Sequence, residues 1–445
     1  MRQVINFDHN WYFQKENTGM PETLPEDWEV VDLPHTWNGV DGQDGRGDYH
    51  RGICWYAKSF RAPKRMEGSR VYVEILAAAL SGRVYVNGTE AVYHEGGFSS
   101  FRADITDLLK ENGENLMAIE VDNSQKSNIY PQMADFTFYG GLYRGVNLIV
   151  VSETHFDLDF FGAPGLKITP KVTGQGAMLS LEAWVRNADE DYTVRYEIKN
   201  ALGVTEAEAW RPADAPNVQQ FLPEAHLWQG VDDPYLYTCT ASLVRRNEVV
   251  DEVTQRFGIR EFSVDPEKGF FLNGRPMKLR GVSRHQDILY RGNALTREDH
   301  YRDAELIREV GANTVRLAHY QHSQDFYDAC DEYGFIVWAE IPYISTQSDD
   351  PAAHENCRSQ MQDLICQSYN HPSICFWGIS NEITICGEKP GMAENHRDLN
   401  ALVKELDDTR LTTIAHVSVT PEDSPLHDIT DIESYNHYFC LLYTS

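Results

Sequence analysis

The chain has 445 residues, long enough for two to four domains rather than one. Its 68 acidic and 39 basic side chains give a formal net charge of −29, which argues against nucleic acid or an anionic membrane as partner. A 42% hydrophobic content can fill several cores, yet no apolar run approaches the ~20 residues of a membrane span. Residues 1–8 carry no apolar signal core, and the eight cysteines contain no C-x-x-C pair. Several cysteines lie in apolar runs such as Ile374-Cys375-Phe376. Buried free thiols in a reducing cytoplasm are the expectation.

Residues 1–152 read as short strands cut by Gly, Asn and Asp. Arg70-Val71-Tyr72-Val73-Glu74-Ile75 is one, and Arg83-Val84-Tyr85-Val86 runs into Asn87-Gly88, a hairpin signal. An all-β sandwich is predicted. Residues 153–262 continue with strands such as Leu179-Ser180-Leu181-Glu182-Ala183-Trp184-Val185, at a length that suits an immunoglobulin-like β-sandwich.

The pattern then changes over residues 263–445. Met277-Lys278-Leu279-Arg280-Gly281-Val282 is a predicted strand, followed by a helix capped at Thr296 and closed by Gly311. Asn313-Thr314-Val315-Arg316-Leu317 is the second strand, with a helix from Ser323 to Gly334 behind it. Phe335-Ile336-Val337-Trp338-Ala339-Glu340 is the third, and the run from Ser373 to Glu382 the fourth. A stripe of Leu399, Leu402, Val403 and Leu406 marks the next helix, and strands five and six end near Val417 and Asn436. Alternating strand and helix predicts a parallel sheet closing towards a (β/α)8 TIM barrel, with six of about eight strands present. Asn381-Glu382 falls at the C-terminal end of strand four, where a barrel presents its chemistry. One group can move a proton there and the other can hold a hydroxyl. Taken by itself, an Asn-Glu pair also suits a helix N-terminus or a surface loop.

The surrounding block, Tyr369-Asn370-His371-Pro372-Ser373-Ile374 through Trp377-Gly378 to Asn381-Glu382, resembles the acid/base signature of glycoside hydrolase family 2. Further blocks resemble the same family. Trp28-Glu29-Val30-Val31-Asp32-Leu33-Pro34-His35-Thr36-Trp37-Asn38 looks like its N-terminal jelly-roll block, and Phe257-Gly258-Ile259-Arg260 like the end of its immunoglobulin-like domain. Arg284-His285-Gln286-Asp287 and Trp338-Ala339-Glu340-Ile341-Pro342-Tyr343 look most like bacterial β-galactosidases.

The resemblance implies a retaining β-glycosidase that hydrolyses terminal β-galactosides by double displacement. Glu382 would be the acid/base, its pKa raised by a partner carboxylate and by apolar walls such as Trp377. Asn381 would bind the sugar 2-hydroxyl. His285, His319, Tyr435 and Asn436 would line the sugar subsite, and Asp135 would reach it from the jelly roll. On residues alone, a histidine near a strand end is more often structural, and Asp135 equally suits a turn cap. No cofactor is implied. The places where some relatives bind magnesium hold Ile344 and Thr346, so no metal is expected there. The nucleophilic glutamate belongs on a seventh strand, beyond residue 445. The chain therefore reads as truncated, with Glu340 structural and Glu433 on the wrong strand. The same family implies β-glucuronidase or β-mannosidase as alternatives, and a complete chain would be a non-catalytic sugar-binding protein. A homo-oligomer is an expectation for the full-length form.

Overall fold

The computed structural model describes residues 1–438; residues 439–445, with Cys440, lie outside them. Two antiparallel sheets form the N-terminal sandwich. One runs Gln3–Asn6, Val146–Val151, Arg70–Ile75, Phe101–Asp104. The other has six strands, with Ile53–Arg61 and Glu114–Asp122 at its centre. Alternate residues of both sheets, including Trp11, Tyr56, Val73, Ile75, Val84 and Ile119, meet in one buried core. The Asn87-Gly88 signal behaves as read. Ser81–Val86 pairs with Thr89–Glu95 across these two residues, whose φ values of 51° and 84° are those of a type I′ turn.

A second sandwich follows. Its larger sheet orders Thr205–Pro212, Tyr192–Lys199, Tyr237–Arg245, Glu248–Phe257 against the three strands Leu166–Thr173, Gly176–Ala183 and Val218–Pro223. Tyr192–Lys199 alternates strictly, and its inward Val194, Tyr196 and Ile198 are fully buried.

The remaining sheet is parallel, with six strands in sequential order. They are β1 (Gly281–Arg284), β2 (Thr314–Leu317), β3 (Ile336–Glu340), β4 (Ile374–Asn381), β5 (Leu411–Val417) and β6 (Ile432–Asn436). Strand β1 starts later than expected, because Arg275–Pro276 folds back to pair with Gly269–Leu272 in a separate hairpin. Four helices cover the outer face: α1 (Arg297–Glu309), α2 (Gln324–Tyr333), α3 (Ala352–Ser368) and α4 (Met392–Leu406). The Thr296 hydroxyl accepts from the Asp299 N–H and the Asp299 carboxylate answers from the other side, the predicted capping box. Leu399, Leu402 and Val403 of α4 pack with Met361 and Leu364 of α3 against Trp377 and Ile379. Alternation fails once: the connection 418–431 between β5 and β6 is built of turns and holds no helix.

The first sandwich sits directly on the C-terminal ends of the barrel strands. The Arg144 guanidinium donates to the carbonyls of Phe98 (2.7 Å) and, across the junction, Gln321 (2.9 Å). Phe98 stacks on Tyr320 with ring centroids 4.5 Å apart. Phe136, in the loop after Tyr130, packs on the same Tyr320 with ring centroids 5.3 Å apart and brings that loop over the barrel mouth. No helix among the described residues is long and apolar enough to cross a membrane.

Candidate active site

The mouth is organised around one cation. Arg316, near the end of β2, donates to Glu340 Oε2 of β3 (3.0 Å), to Asn381 Oδ1 of β4 (2.7 Å) and to Asn436 Oδ1 of β6 (2.9 Å). A guanidinium has only donors, so both asparagines must turn their carbonyl oxygens towards it. That fixes what their amide nitrogens can do. Asn436 Nδ2 is directed at Glu382, donating to Oε1 at 2.9 Å, and it also reaches Asn381 Oδ1 at 2.9 Å. Asn381 has its oxygen held by two donors, which leaves its Nδ2 as the group able to donate elsewhere. A single half-buried charge thus sets the orientation of the whole amide and carboxylate group.

Glu382 lies one residue past β4 with φ at +46°, in the left-handed region. For a glutamate that conformation costs on the order of 1–3 kcal/mol, and such strain persists where the surroundings over-determine it. Here the Glu382 N–H donates to the Ala415 carbonyl of β5 at 2.7 Å, which pins the turn. Glu382 is half-buried and its carboxylate is turned to the mouth by Asn436.

Glu340 is fully buried. Burial alone would raise its pKa, but Arg316 and His319 outweigh it and hold the carboxyl below the usual value. His319 Nδ1 meets Glu340 Oε1 at 2.5 Å. Space for this pair comes from Gly378 of β4. A Cβ there would stand 2.3 Å from Trp338 Nε1 and 2.6 Å from Glu340 Cβ, closer than any side chain can approach.

His285 and His319 face each other with ring centroids 5.4 Å apart, at the ends of β1 and β2. Burial, then the neighbouring His319, pushes the His285 pKa down to about 4, so its ring is neutral near pH 7. Its Nδ1 meets the Tyr320 hydroxyl at 3.2 Å. Phe136 of the first sandwich packs on His285 (5.1 Å) and Tyr320 (5.3 Å). The adjacent Asp135 is exposed, and its charge acts on His285 and on Tyr438. Burial, Glu382 and Asp135 together raise the Tyr438 phenol, which sets Tyr438 within electrostatic reach of both carboxylates.

Two expected residues do not join this group. Tyr435 is 41% exposed and stacks near His416 (5.3 Å) and His437 (5.8 Å) on the opposite face of β6 from Asn436. Consecutive strand residues point to opposite faces, so only one of the pair can reach the mouth. Trp377 is likewise directed away, into the helix layer, where its indole donates to Asp407 at 2.8 Å. It walls the core and not Glu382. Arg316, Phe136 and Tyr438 were missed as site residues. Arg316 stood in the predicted second strand and faces the same side of the sheet as Glu340 and Asn436, which was the available signal.

Ile344 is buried and bridges to Asn381, and neither it nor Thr346 offers a ligand suited to magnesium. Asp328, Asp331 and His371 cluster closely enough for an ion, but their atoms are engaged. Asp331 holds His371 Nδ1 (2.6 Å) and the Ser373 N–H (3.1 Å), while Asp328 pairs with Arg256 (2.8 Å). A cavity of 780 Å³ lies within the curl of the sheet, lined by apolar groups such as Phe270, Met277 and Phe376. It shares Arg316 and Trp338 with the mouth but does not include Glu382.

Two β-sandwiches are thus joined to a parallel β/α sheet that sets an amide and a carboxylate side by side at a strand end. The comparisons agree. Residues 40–152 match the sugar binding domain of glycosyl hydrolases family 2, residues 164–260 a second domain of that family, and residues 264–440 its TIM barrel domain. The chain belongs to glycoside hydrolase family 2. It is similar to a solved FMN-binding β-glucuronidase from Facaelibacterium prausnitzii L2-6, with 54% identity and a TM-score of 0.94 over 98% of this chain and 67% of that one. A β-glucuronidase of Bacteroides fragilis is 35% identical over 98% of this chain, and a β-galactosidase of Thermoanaerobacter pseudethanolicus 30% identical over 92%. The chain spans 64% and 55% of the lengths of these two relatives.

Proposed function

We propose that this chain carries the acid/base side of a retaining β-glycosidase active site. The observation that carries the reading is the Arg316–Asn436–Glu382 relay, which turns one carboxylate and the Asn381 amide donor into the same mouth. In this reading Glu382 protonates the leaving oxygen, then takes a proton from the water that releases the sugar. Asn381 donates to a hydroxyl of the sugar, and His285, Phe136 and Asp135 border its subsite. Glu340 and Glu433 are not placed to be the nucleophile: the first is sealed beneath Arg316 and His319, and the second faces histidines on the outer side of the sheet. The nucleophile is expected in the part of the relatives' length that this chain does not span.

The sugar is where the motif reading and the relatives diverge. The blocks around His285 and Trp338 suggested a β-galactoside. The relatives at 54% and 35% identity are described as β-glucuronidases, and they favour a β-glucuronide as substrate. Two-carboxylate hydrolysis asks for no cofactor. All seven described cysteines are free, five of them buried, which supports a reducing compartment. The test is to assay the full-length protein on p-nitrophenyl β-D-glucuronide, β-D-galactoside and β-D-mannoside, following the anomer released by NMR. The reading expects retention and a preference for glucuronide. An inverted product would overturn the mechanism, and a galactoside preference would restore the motif reading of the sugar.

A further inference from the structure

The outer face of the β5–β6 pair carries a second cluster that hydrolysis does not use. His416 Nε2 lies 2.6 Å from Glu433 Oε2, and His427 Nδ1 lies 3.2 Å from the same oxygen. One ligand atom from each of the three residues falls within 4.8 Å of the others. Strand register brings them together: Ile414 pairs with Glu433 and His416 with Tyr435, so all four share a face. His427 arrives from the helix-free connection 418–431.

The hydrogen bonds around the cluster select for a ligand. His427 Nε2 lies 3.0 Å from the Pro421 carbonyl, which can only accept, so Nε2 carries the hydrogen. In the neutral ring Nδ1 is then a bare lone pair, and it points at a carboxylate oxygen. Two acceptors facing each other repel unless a proton or a cation stands between them. A ring that donates one nitrogen to a backbone carbonyl and offers the other inward is the arrangement typical of metal-bound histidine. Glu433 is set in the same way: the Asp428 N–H holds Oε1 at 3.1 Å and leaves Oε2 for both imidazoles. The Tyr435 hydroxyl, 3.5 Å from His427 Nδ1, is close enough to hydrogen-bond a fourth ligand such as water.

We propose that His416, His427 and Glu433 bind a divalent transition-metal ion, zinc above all, which ties the helix-free connection to the barrel. Two imidazoles and one carboxylate suit zinc better than calcium or magnesium, which prefer oxygen alone. The site is separate from Ile344 and Thr346, and its effect would reach the mouth. His416 follows Ala415, whose carbonyl holds the Glu382 N–H.

The purified protein, stripped with chelator, is titrated with zinc chloride by calorimetry and with cobalt(II) chloride by visible absorption. One ion per chain is expected, with ligand-field bands for cobalt and a higher Tm on adding zinc. His427→Ala, at a solvent-accessible position, and Glu433→Gln should each weaken binding at least about 10-fold. Asp328→Asn, in the other cluster, should bind as the wild type does. Absence of stoichiometric uptake by the wild type would overturn the proposal and leave a protonated His427 bridging to Glu433. Uptake by His427→Ala equal to wild type would overturn it as well, as would loss of binding in Asp328→Asn.

Discussion

Asn436 and Tyr435 are neighbours on one strand, yet they serve two different clusters. On the inner face Asn436 joins Arg316, Glu340, Asn381 and Glu382, a group built on a fixed cation with one carboxylate fully sealed. On the outer face Tyr435 joins His416, His427 and Glu433, where only histidines pair with Glu433 among the described residues and the Glu433 side chain is 29% exposed. The difference is one of cost. Breaking a sealed ion pair strands a charge at about 3–5 kcal/mol, whereas an exposed one is worth about 0–1 kcal/mol. The inner cluster therefore belongs to the folded state itself, and the outer one is free to respond to a ligand.

The largest expected effect follows from removing the inner cation. Arg316→Met should cost about 3–5 kcal/mol of stability and abolish hydrolysis, because Glu340 loses its partner and both asparagines lose their orientation. Glu433→Gln in metal-free protein should cost no more than about 1 kcal/mol. Urea unfolding of the two variants side by side would break the comparison if the costs were equal.

The strand alternation gives the next contrast. Asn436→Ala removes a hydrogen bond to a carboxylate worth about 1.5–3 kcal/mol and should lower kcat/KM roughly 10- to 100-fold. Tyr435→Phe should leave it within about two-fold. Equal losses would put Tyr435 back in the sugar subsite. Gly378→Ala is expected to destabilise by about 1–3 kcal/mol through overpacking against Trp338 and Glu340, as thermal melting would show.

Two groups of the inner site should lower stability as pH falls. Glu340 is held below its usual value of 4.5. Its contribution to stability is complete above 4.5 and is lost as pH falls through the lowered value. His285, lowered from 6.5 to about 4, adds a penalty that grows as pH falls from 6.5 and levels off below about 4. Denaturation midpoints measured from pH 7 to pH 4 should fall, and by less in His285→Gln.

Much of this was legible in the sequence, for identifiable reasons. The Asn87-Gly88 turn, the Thr296 capping box and the α4 stripe are local signals, and each appears where its chemistry put it. The placement of Asn381, Glu382, His285 and Asn436 at or just past the ends of barrel strands was also readable. Side-chain direction was not. Tyr435 and Trp377 were expected at the mouth, but strand parity turns one outward and the helix layer claims the other. Arg316 was read as a strand residue, yet its part as the hub depends on three other strands meeting it, which no single stretch records. The His416–His427–Glu433 cluster spans a connection whose lack of a helix left no periodic pattern to read.

In the proposed function the Arg316 relay makes Glu382 the proton donor to the leaving group. The most direct measurement is the dependence of kcat/KM on leaving-group pKa, for wild type and Glu382→Gln of the full-length protein, over a series of aryl β-glycosides. A shallow slope is expected for the wild type and a steep one for the variant, with losses of about 10²- to 10⁴-fold on poor leaving groups and little on activated ones. Parallel lines, with the same loss for every leaving group, would contradict it.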